Sequence, residues 1–142
     1  MIRVIKRKGK MPKLPKAGQL TRWFWQGLEE GRLESTRCRG CGRISFPPRP
    51  DCPACLASDM EWTPLSPRGK VYTSTLIRAV PTPFIDTAPL PVGVIDLDYG
   101  VRLLCWLVEG AGRLPLDSAV EIVALKFEDG CLFGAAPPRQ EA

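Results

Sequence analysis

The second half of the chain alternates short apolar runs with turn residues, which is the pattern of a domain built mainly from β-strands. Tyr99-Gly100 and Gly130 are turn signals between apolar runs, so they predict two hairpins. The segment 79–91 holds four prolines and predicts a loop, because proline cannot donate to a strand ladder. Five strands with no strong helix among them indicate a small barrel or a sandwich. The strands are predicted at residues 69–80, 92–98, 101–109, 119–129 and 131–135.

A helical periodicity precedes these strands, at residues 19–34 (QLTRWFWQGLEEGRLE). Leu20, Phe24 and Leu28 recur every fourth position, so they would form one apolar stripe along a helix. Thr21 is a candidate N-terminal cap, and the glycine after the paired glutamates is a candidate stop signal. One short helix is therefore predicted ahead of the strands.

Three consecutive aromatic residues, Trp23, Phe24 and Trp25, lie within this predicted helix. Successive residues on a helix point about 100° apart, so the three side chains would spread over more than half of its circumference. One interpretation is that the tryptophans pack over the rest of the protein. The other is that one side of the helix meets a partner protein or a ligand, because exposed aromatic residues mark binding surfaces. These three residues are the predicted partner contacts.

The net charge of +5 is a property of the N-terminus rather than of the whole chain. Residues 1–16 carry seven bases and no acid, whereas residues 17–142 carry thirteen bases and fifteen acids. A nucleic-acid-binding domain would more often carry a basic face on its folded part. The segment 1–18 is therefore interpreted as a basic arm, either solvated or in contact with the phosphates of RNA or of a nucleotide cofactor.

The composition disfavours several classes of protein. The chain has no histidine, which removes the commonest general base, Ser-His and Cys-His nucleophile pairs, and zinc sites with imidazole ligands. No run of about 18 apolar residues occurs, so no membrane-spanning helix is predicted. No apolar segment of a secretory signal follows the basic start. The expected location is the cytoplasm, where cysteines are metal ligands more often than disulfides.

Most of the cysteines form two C-x-x-C pairs within CRGCGRISFPPRPDCPAC, and the four residues are Cys38, Cys41, Cys52 and Cys55. A C-x-x-C knuckle turns two thiolates toward one centre, so two knuckles supply the donors of one tetrahedral site. Four thiolates fill the coordination shell of Zn2+ and leave no position for water or substrate, which indicates a structural role. Iron is an alternative occupant, because the same donor set suits it.

The remaining two cysteines, Cys105 and Cys131, lie inside apolar runs and have no partner nearby in the sequence. They are interpreted as small buried apolar side chains. No residue of the chain is assigned a catalytic role.

Four motifs, taken in order along the chain, resemble those of a known family. They are FWQGLEEGRL (24–33), RCRGCGR (37–43), FPPRPDCPAC (46–55) and GKVYTSTLI (69–77). Over roughly residues 20–136 the chain resembles the acyl-CoA-associated family that joins a zinc ribbon to an OB-fold, known as domain of unknown function thirty-five. The resemblance implies a mainly β protein with an N-terminal helix, a rubredoxin-like four-cysteine zinc ribbon and a C-terminal five-stranded OB-fold barrel. The expected boundaries are 1–18 for the arm, 19–34 for the helix, 35–64 for the ribbon and 65–142 for the OB-fold.

The same resemblance implies a function. Members commonly accompany thiolases, ketoacyl synthases or acyl-CoA hydratases as non-catalytic subunits, and they are thought to hold acyl-CoA or pass it between sites. The expected partner is a thiolase-like or other acyl-CoA enzyme subunit, with structural Zn2+ as cofactor and CoA or acyl-CoA as a further ligand. The alternative is a protein that binds single-stranded nucleic acid through the OB-fold and the basic arm. The net negative charge outside the arm and the modest aromatic content of the strands disfavour this alternative.

Candidate contacts to CoA follow from its chemistry, because guanidinium groups bind phosphates well. The arginines that surround the cysteine pairs are Arg37, Arg39, Arg43 and Arg49. Phe84, in the proline-rich loop 79–91, is a candidate for lining an acyl or pantetheine path. For the arginines, a solvated surface is the alternative interpretation.

Overall fold

The structure is a computed structural model that describes residues 2–9, 19–80, 82, 89–98 and 100–138, except for the side chains of Gln19 and Leu20. Within these residues the chain forms one α-helix, α1 (Gln19–Glu29), one short 3-10 helix (Ala111–Arg113) and nine strands. The strands are β1 (Val4–Lys6), β2 (Glu34–Cys38), β3 (Ile44–Ser45), β4 (Met60–Pro64), β5 (Arg68–Ile77), β6 (Leu90–Leu97), β7 (Arg102–Leu107), β8 (Ala119–Phe127) and β9 (Gly130–Ala136). The predicted mainly β architecture is confirmed.

A small antiparallel sheet in the order β3-β2-β4 carries the cysteine region. Thr36, at the centre of β2, lies opposite Ser45 of β3 and Trp62 of β4. The buried hydroxyl of Ser35 donates to the backbone carbonyl of Ser45, and the buried hydroxyl of Thr36 accepts from the backbone N–H of Arg49 at 2.9 Å. Because buried polar groups need partners, these hydroxyls fix the segment between the two cysteine pairs onto the sheet.

The C-terminal strands close into a five-stranded barrel in the order β5-β6-β7-β9-β8, with β8 pairing back to β5. The pairings are antiparallel, except that β7 and β9 run parallel. Gly69 allows β5 and β6 to approach closely, since a Cβ there would lie 2.6 Å from the carbonyl oxygen of Asp96. Closure pairs backbone N–H and C=O groups that would otherwise stay free at a strand edge and could pair with another chain.

The hydrophobic core fills the barrel and continues to the helix. Val71, Ile95 and Ile122, from β5, β6 and β8, have no accessible surface. Phe24 and Leu28 of α1 belong to the same cluster, so the helix is held on the barrel by burial of its inner stripe. Strand β8 is buried on both faces, because its alternate side chains form a second cluster that includes β1 and β9.

Several element ends differ from the sequence predictions. The helix ends at Glu29, before the end of the predicted segment 19–34, and Gly31, the candidate stop signal, adopts a left-handed φ of 82° ahead of β2. Thr21 is not the N-terminal cap, since it already lies inside the helix. Strand β6 begins at Leu90, within the segment 79–91 that was predicted to be a loop.

The basic arm contributes a strand that the sequence did not predict. Strand β1 pairs parallel to β8, with Val4 opposite Ala124. The guanidinium of Arg3 forms an ion pair with Glu121 at 2.6 Å and donates to the backbone carbonyl of Pro137 at 2.9 Å. Part of the arm therefore belongs to the barrel. Among the described residues, no helix has the length and apolar content needed to cross a membrane.

Candidate metal centre and ligand grooves

The ribbon brings the sulfurs of the four predicted cysteines to one point. All four Sγ atoms lie within 4.8 Å of one another, with Cys38 and Cys55 3.5 Å apart and Cys41 and Cys52 also 3.5 Å apart. Four sulfurs bound at about 2.3 Å to one tetrahedral Zn2+ stand about 3.8 Å from each other. Disulfide sulfurs would be only about 2.05 Å apart. The observed spacing therefore fits a four-thiolate metal site.

The two cysteine knuckles repeat the same backbone pattern. The N–H of Gly42 donates to the carbonyl of Cys38 at 2.8 Å, and the N–H of Leu56 donates to the carbonyl of Cys52 at 2.9 Å. Both donor residues are left-handed, with φ of 80° at Gly42 and 63° at Leu56. Glycine adopts this conformation readily, whereas a side chain is strained in it. The fold therefore demands the same turn twice, although only the first knuckle supplies a glycine.

Backbone donors favour the ionised form of two of the sulfurs. The N–H of Cys41, 3.4 Å from the Cys38 sulfur, lowers the pKa of Cys38, and the N–H of Cys55 lowers the pKa of Cys52 to about 6. The N–H of Ala57 favours the Cys55 thiolate, but the neighbouring sulfurs of Cys38 and Cys52 oppose its ionisation, and its pKa is raised to about 11. Like charges so close together need a cation, so this donor set is complete only with a metal ion.

The four predicted arginines do not form one cluster. Arg39 is bound to the acids of the ribbon itself, at 3.2 Å from Asp59 and 3.3 Å from Glu61. Arg37 lies 3.9 Å from the same Glu61. Exposed pairs of this kind add little stability, but they place these two guanidinium groups beside carboxylates. Arg37 and Arg39 therefore remain candidates for phosphate contact, with part of their charge balanced by these acids.

The other two predicted arginines, Arg43 and Arg49, line a groove of about 320 Å3 together with Arg102 of β7. We call this the basic groove. Arg102 is positioned by an ion pair with Asp96 at 2.5 Å, and its guanidinium lies 3.9 Å from the ring centre of Tyr72. Arg102 was not among the predicted contacts, because it lies in an ordinary alternating strand and reaches this groove only where the barrel meets the ribbon.

The three aromatic residues of the helix occupy different environments. Phe24 is 4% exposed, and its ring lies edge-on to Phe46 and Phe133 at 5.6 and 5.9 Å between centroids. Contrary to the prediction, Phe24 is not available to a partner, because the inner stripe of the helix places it in the core. Trp25 is half-buried and stacks on Phe133 at 6.2 Å. A groove of about 300 Å3, the aromatic groove, is lined by side chains that include Trp25, Phe46 and Phe133.

Trp23 is exposed on the outer side of the helix, with 43% of its surface accessible. Its indole N–H donates to a carboxylate oxygen of Glu34 at 2.7 Å, and the guanidinium of Arg32 lies 4.4 Å from the ring centre. These contacts hold the ring in one orientation on the surface. Trp23 and Trp25 therefore remain candidates for partner contact.

The two remaining cysteines lie away from the metal centre, and the predicted acyl contact lies outside the residues that the structure describes. Cys105 and Cys131 are buried in the barrel, as predicted for small apolar side chains. Burial raises the pKa of Cys105 to about 12 and that of Cys131 to about 11. Phe84, the predicted acyl contact, lies outside the described residues.

Two known protein families match consecutive parts of the chain, and the boundary between the matches falls within β4. The profile described as ChsH2, rubredoxin-like zinc ribbon domain, matches residues 25–61. The profile described as ChsH2, C-terminal OB-fold domain, matches residues 62–125. The first match contains β2, β3 and the start of β4, and the second contains the rest of β4, strands β5 to β7 and most of β8.

Relatives in sequence support the same assignment. The chain is 33% identical over 120 residues to a DUF35 domain-containing scaffold protein of Pyrococcus furiosus, covering 81% of this chain and 88% of the relative. It is 34% identical over 101 residues to the benzoylsuccinyl-CoA thiolase subunit BbsA of Thauera aromatica, covering 68% of this chain and 66% of that subunit. It is 34% identical over 87 residues to a DUF35 domain-containing scaffold protein of Methanocaldococcus jannaschii, covering 60% of this chain and 62% of that protein.

A solved structure has the same fold. The chain named Ltp2-ChsH2(DUF35) aldolase superimposes with a TM-score of 0.75 at 24% identity, covering 87% of this chain and 98% of that one. The chain therefore belongs to the DUF35 family, as a ChsH2-type zinc ribbon followed by a ChsH2-type OB-fold.

Proposed function

We propose that the protein is a non-catalytic, zinc-containing accessory subunit of a thiolase-type enzyme that acts on acyl-CoA. The observation that carries the proposal is the similarity to a benzoylsuccinyl-CoA thiolase subunit over 68% of the chain. Ketoacyl synthases and hydratases of acyl-CoA thioesters are the neighbouring partner classes. The reduced four-thiolate site suits a cytoplasmic protein.

The chemistry of the described residues supports a non-catalytic role. A metal ion held by four thiolates has no open position for substrate or water. The chain has no histidine to act as a base. Burial keeps Cys105 and Cys131 as thiols at neutral pH, and the thiol is a poor nucleophile. In the proposed complex, the nucleophile and the base therefore belong to the partner.

The proposed role of zinc is to hold the ribbon in shape. The ribbon sheet is small, since β3 has only two residues, and modules of about 40 residues or fewer usually need a metal or disulfides. Zinc binding to such modules is coupled to their folding, by about 10 kcal/mol in isolated peptides. The ribbon in turn holds Phe46 against Phe24 of the helix. Loss of the metal would therefore also loosen the junction between ribbon, helix and barrel.

The basic groove is the proposed contact for the phosphates of CoA. One guanidinium group can donate two hydrogen bonds to the oxygens of one phosphate. Three arginines line this groove. The aromatic groove adjoins it, because Phe46 and Arg102 line both. An anionic end beside an apolar end suits an acyl-CoA, which has phosphates at one end and an acyl chain at the other.

Affinity purification of the tagged protein from its native host tests the proposed function. We expect a thiolase or related acyl-CoA enzyme subunit in stoichiometric amount, identified by mass spectrometry, and no acyl-CoA turnover by the isolated chain. Recovery of the chain alone would contradict the proposal. Steep, salt-dependent binding to single-stranded nucleic acid that disappears on deletion of residues 1–16 would favour the alternative instead.

Calorimetric titration of the complex with CoA tests the phosphate contact. The double substitution of Arg43 and Arg49 by alanine is expected to weaken CoA binding at least tenfold. Arg68→Ala is the control, because Arg68 is exposed but lines neither the basic nor the aromatic groove. Equal effects of the two changes would mean that CoA lies elsewhere.

A further inference from the structure

The outer face of the barrel carries an apolar strip that does not contribute to its interior. In β7 the neighbours Leu103 and Cys105 point into the core, so Leu104 points outward and is 66% exposed. The strand register places Val94 of β6 opposite Leu104, and Val92 opposite Trp106. The strip comprises Val92, Val94, Leu104 and Trp106. An apolar surface of this kind on a barrel is typical of a docking site.

Two grooves make the strip continuous with the aromatic residues of the helix and ribbon. An apolar groove of about 320 Å3 is lined by Ile77, Val80, Leu90, Val92, Leu104, Cys105 and Trp106. The aromatic groove on the other side of β7 is also lined by Leu104. The apolar surface therefore runs from the outer sheet to the ring of Trp25, with Leu104 at its centre.

Arginines border this surface on both sides. The basic groove adjoins the aromatic groove at one end, with three arginines. At the other end, Arg7 and Arg113 line a groove of about 760 Å3 that shares Leu90 and Trp106 with the apolar groove. Glu109 is the one carboxylate that lines these grooves among the described residues.

This charge pattern distinguishes between occupants of the strip. A second copy of the chain would bring arginine-rich borders near each other, and like charges disfavour association. A protein with an apolar centre and an acidic border would instead be complementary. The charge therefore favours a different protein over self-association.

The location of the basic groove also favours a different protein as the occupant of the strip. This inference rests on the proposed function. In the proposed function the reactive groups belong to the partner, so an acyl-CoA held in the basic groove must react at a site on the partner. The partner must then cover the surface that adjoins that groove. Arg102 lines the basic and aromatic grooves, and Leu104 lines the aromatic and apolar grooves. We propose that the strip is the surface on which the acyl-CoA enzyme subunit docks, with Leu104 at its centre.

Binding measurements with surface variants test this docking site. The probe is the enzyme subunit that co-purifies with the wild-type chain, produced separately and titrated by interferometry. Leu104→Glu and Ile77→Glu are expected to raise its Kd about thirtyfold or more, because each buries an unpaired charge in the contact. Leu116→Glu is the matched control, since Leu116 is 59% exposed on the loop before β8, and it should change Kd less than twofold. Metal content and unfolding free energy should equal those of the wild type in all three.

The outcomes separate the docking site from the proposed function. If the wild type binds the enzyme and the Leu104→Glu and Ile77→Glu variants bind it equally well, the docking site is wrong while the proposed function stands. If no acyl-CoA enzyme is recovered with the wild type, the proposed function fails and this occupant fails with it. If light scattering shows that the chain alone is a dimer that Leu104→Glu dissociates, the strip is a contact between copies and the proposal is overturned.

Discussion

The two knuckles differ at one strained backbone position, which predicts opposite effects of two substitutions. Gly42 and Leu56 occupy the same place after Cys38 and Cys52, and both have left-handed φ. A Cβ added to Gly42 would have its nearest contact with Arg37, at 3.7 Å, so Gly42→Ala introduces no clash. Its cost is the backbone conformation, about 1–2 kcal/mol, partly offset because glycine has more entropy in the unfolded chain. The net destabilisation is about 1 kcal/mol.

Leu56→Gly should have the opposite effect on stability, because it removes a side chain from a left-handed position. The Leu56 side chain is 80% exposed, so its removal loses little packing, and the relief of strain leaves a net gain of about 1 kcal/mol or less. Because zinc binding and ribbon folding are coupled, each change should appear in the zinc Kd, with 1.4 kcal/mol corresponding to about tenfold.

Competition with a chromogenic chelator, on reduced protein without oxygen, measures this zinc Kd. Gly42→Ala should weaken zinc binding about fivefold, Leu56→Gly should strengthen it by up to the same factor, and the double variant should resemble the wild type. Leu116→Gly is the control for the loss of an exposed leucine outside the ribbon. Weaker zinc binding by Leu56→Gly would refute the reasoning, because the second knuckle would then not be strained.

Three other tests concern the metal centre and the core. Cys38→Ser should release zinc in elemental analysis of the reduced protein, whereas Cys105→Ser should leave the metal content unchanged; metal loss from the latter would mean that the ligand set is wrong. Phe24→Ala should lower the urea unfolding free energy by about 3–5 kcal/mol, because it empties a buried aromatic position, whereas Trp23→Ala at the surface should cost much less. An equally large loss of unfolding free energy for Trp23→Ala would mean that Trp23, and not Phe24 alone, contributes to the core. The pKa of Cys105 rises on folding from 9.0 to about 12, so its contribution to stability is present below pH 9 and is lost as the pH rises through 12. Urea unfolding at pH 8 and pH 10.5 should show this loss in the wild type but less of it in Cys105→Ala, and identical pH profiles would disprove it.

The metal centre could be predicted because its determinants are local. Each C-x-x-C pair positions two sulfurs through a turn of a few residues, and the structure brings both pairs within 4.8 Å. The barrel strands were also predictable, since their apolar runs and turn residues are contiguous in sequence. Strand β1 was not, because three residues within a basic segment carry little periodicity and are held by pairing to β8.

The surfaces were predicted less well, because they depend on residues that are distant in sequence. Arg39 is a predicted phosphate contact, and the ribbon fold also places it beside the carboxylates of Asp59 and Glu61, which the sequence does not show. Arg102 was not predicted, yet the contact between ribbon and barrel places it in the same groove as Arg43 and Arg49.

By itself, the sequence determined the donor set of the metal site, the absence of histidine chemistry and the order of helix, ribbon and strands, because these depend on residue identity and short-range spacing. Only the tertiary structure decided which arginines share a groove, and that Leu104 lies at the centre of an apolar surface bordered by arginines. The physical reason is that barrel closure and ribbon packing set distances between remote residues, and an alternating strand pattern does not show which of its two faces remains exposed.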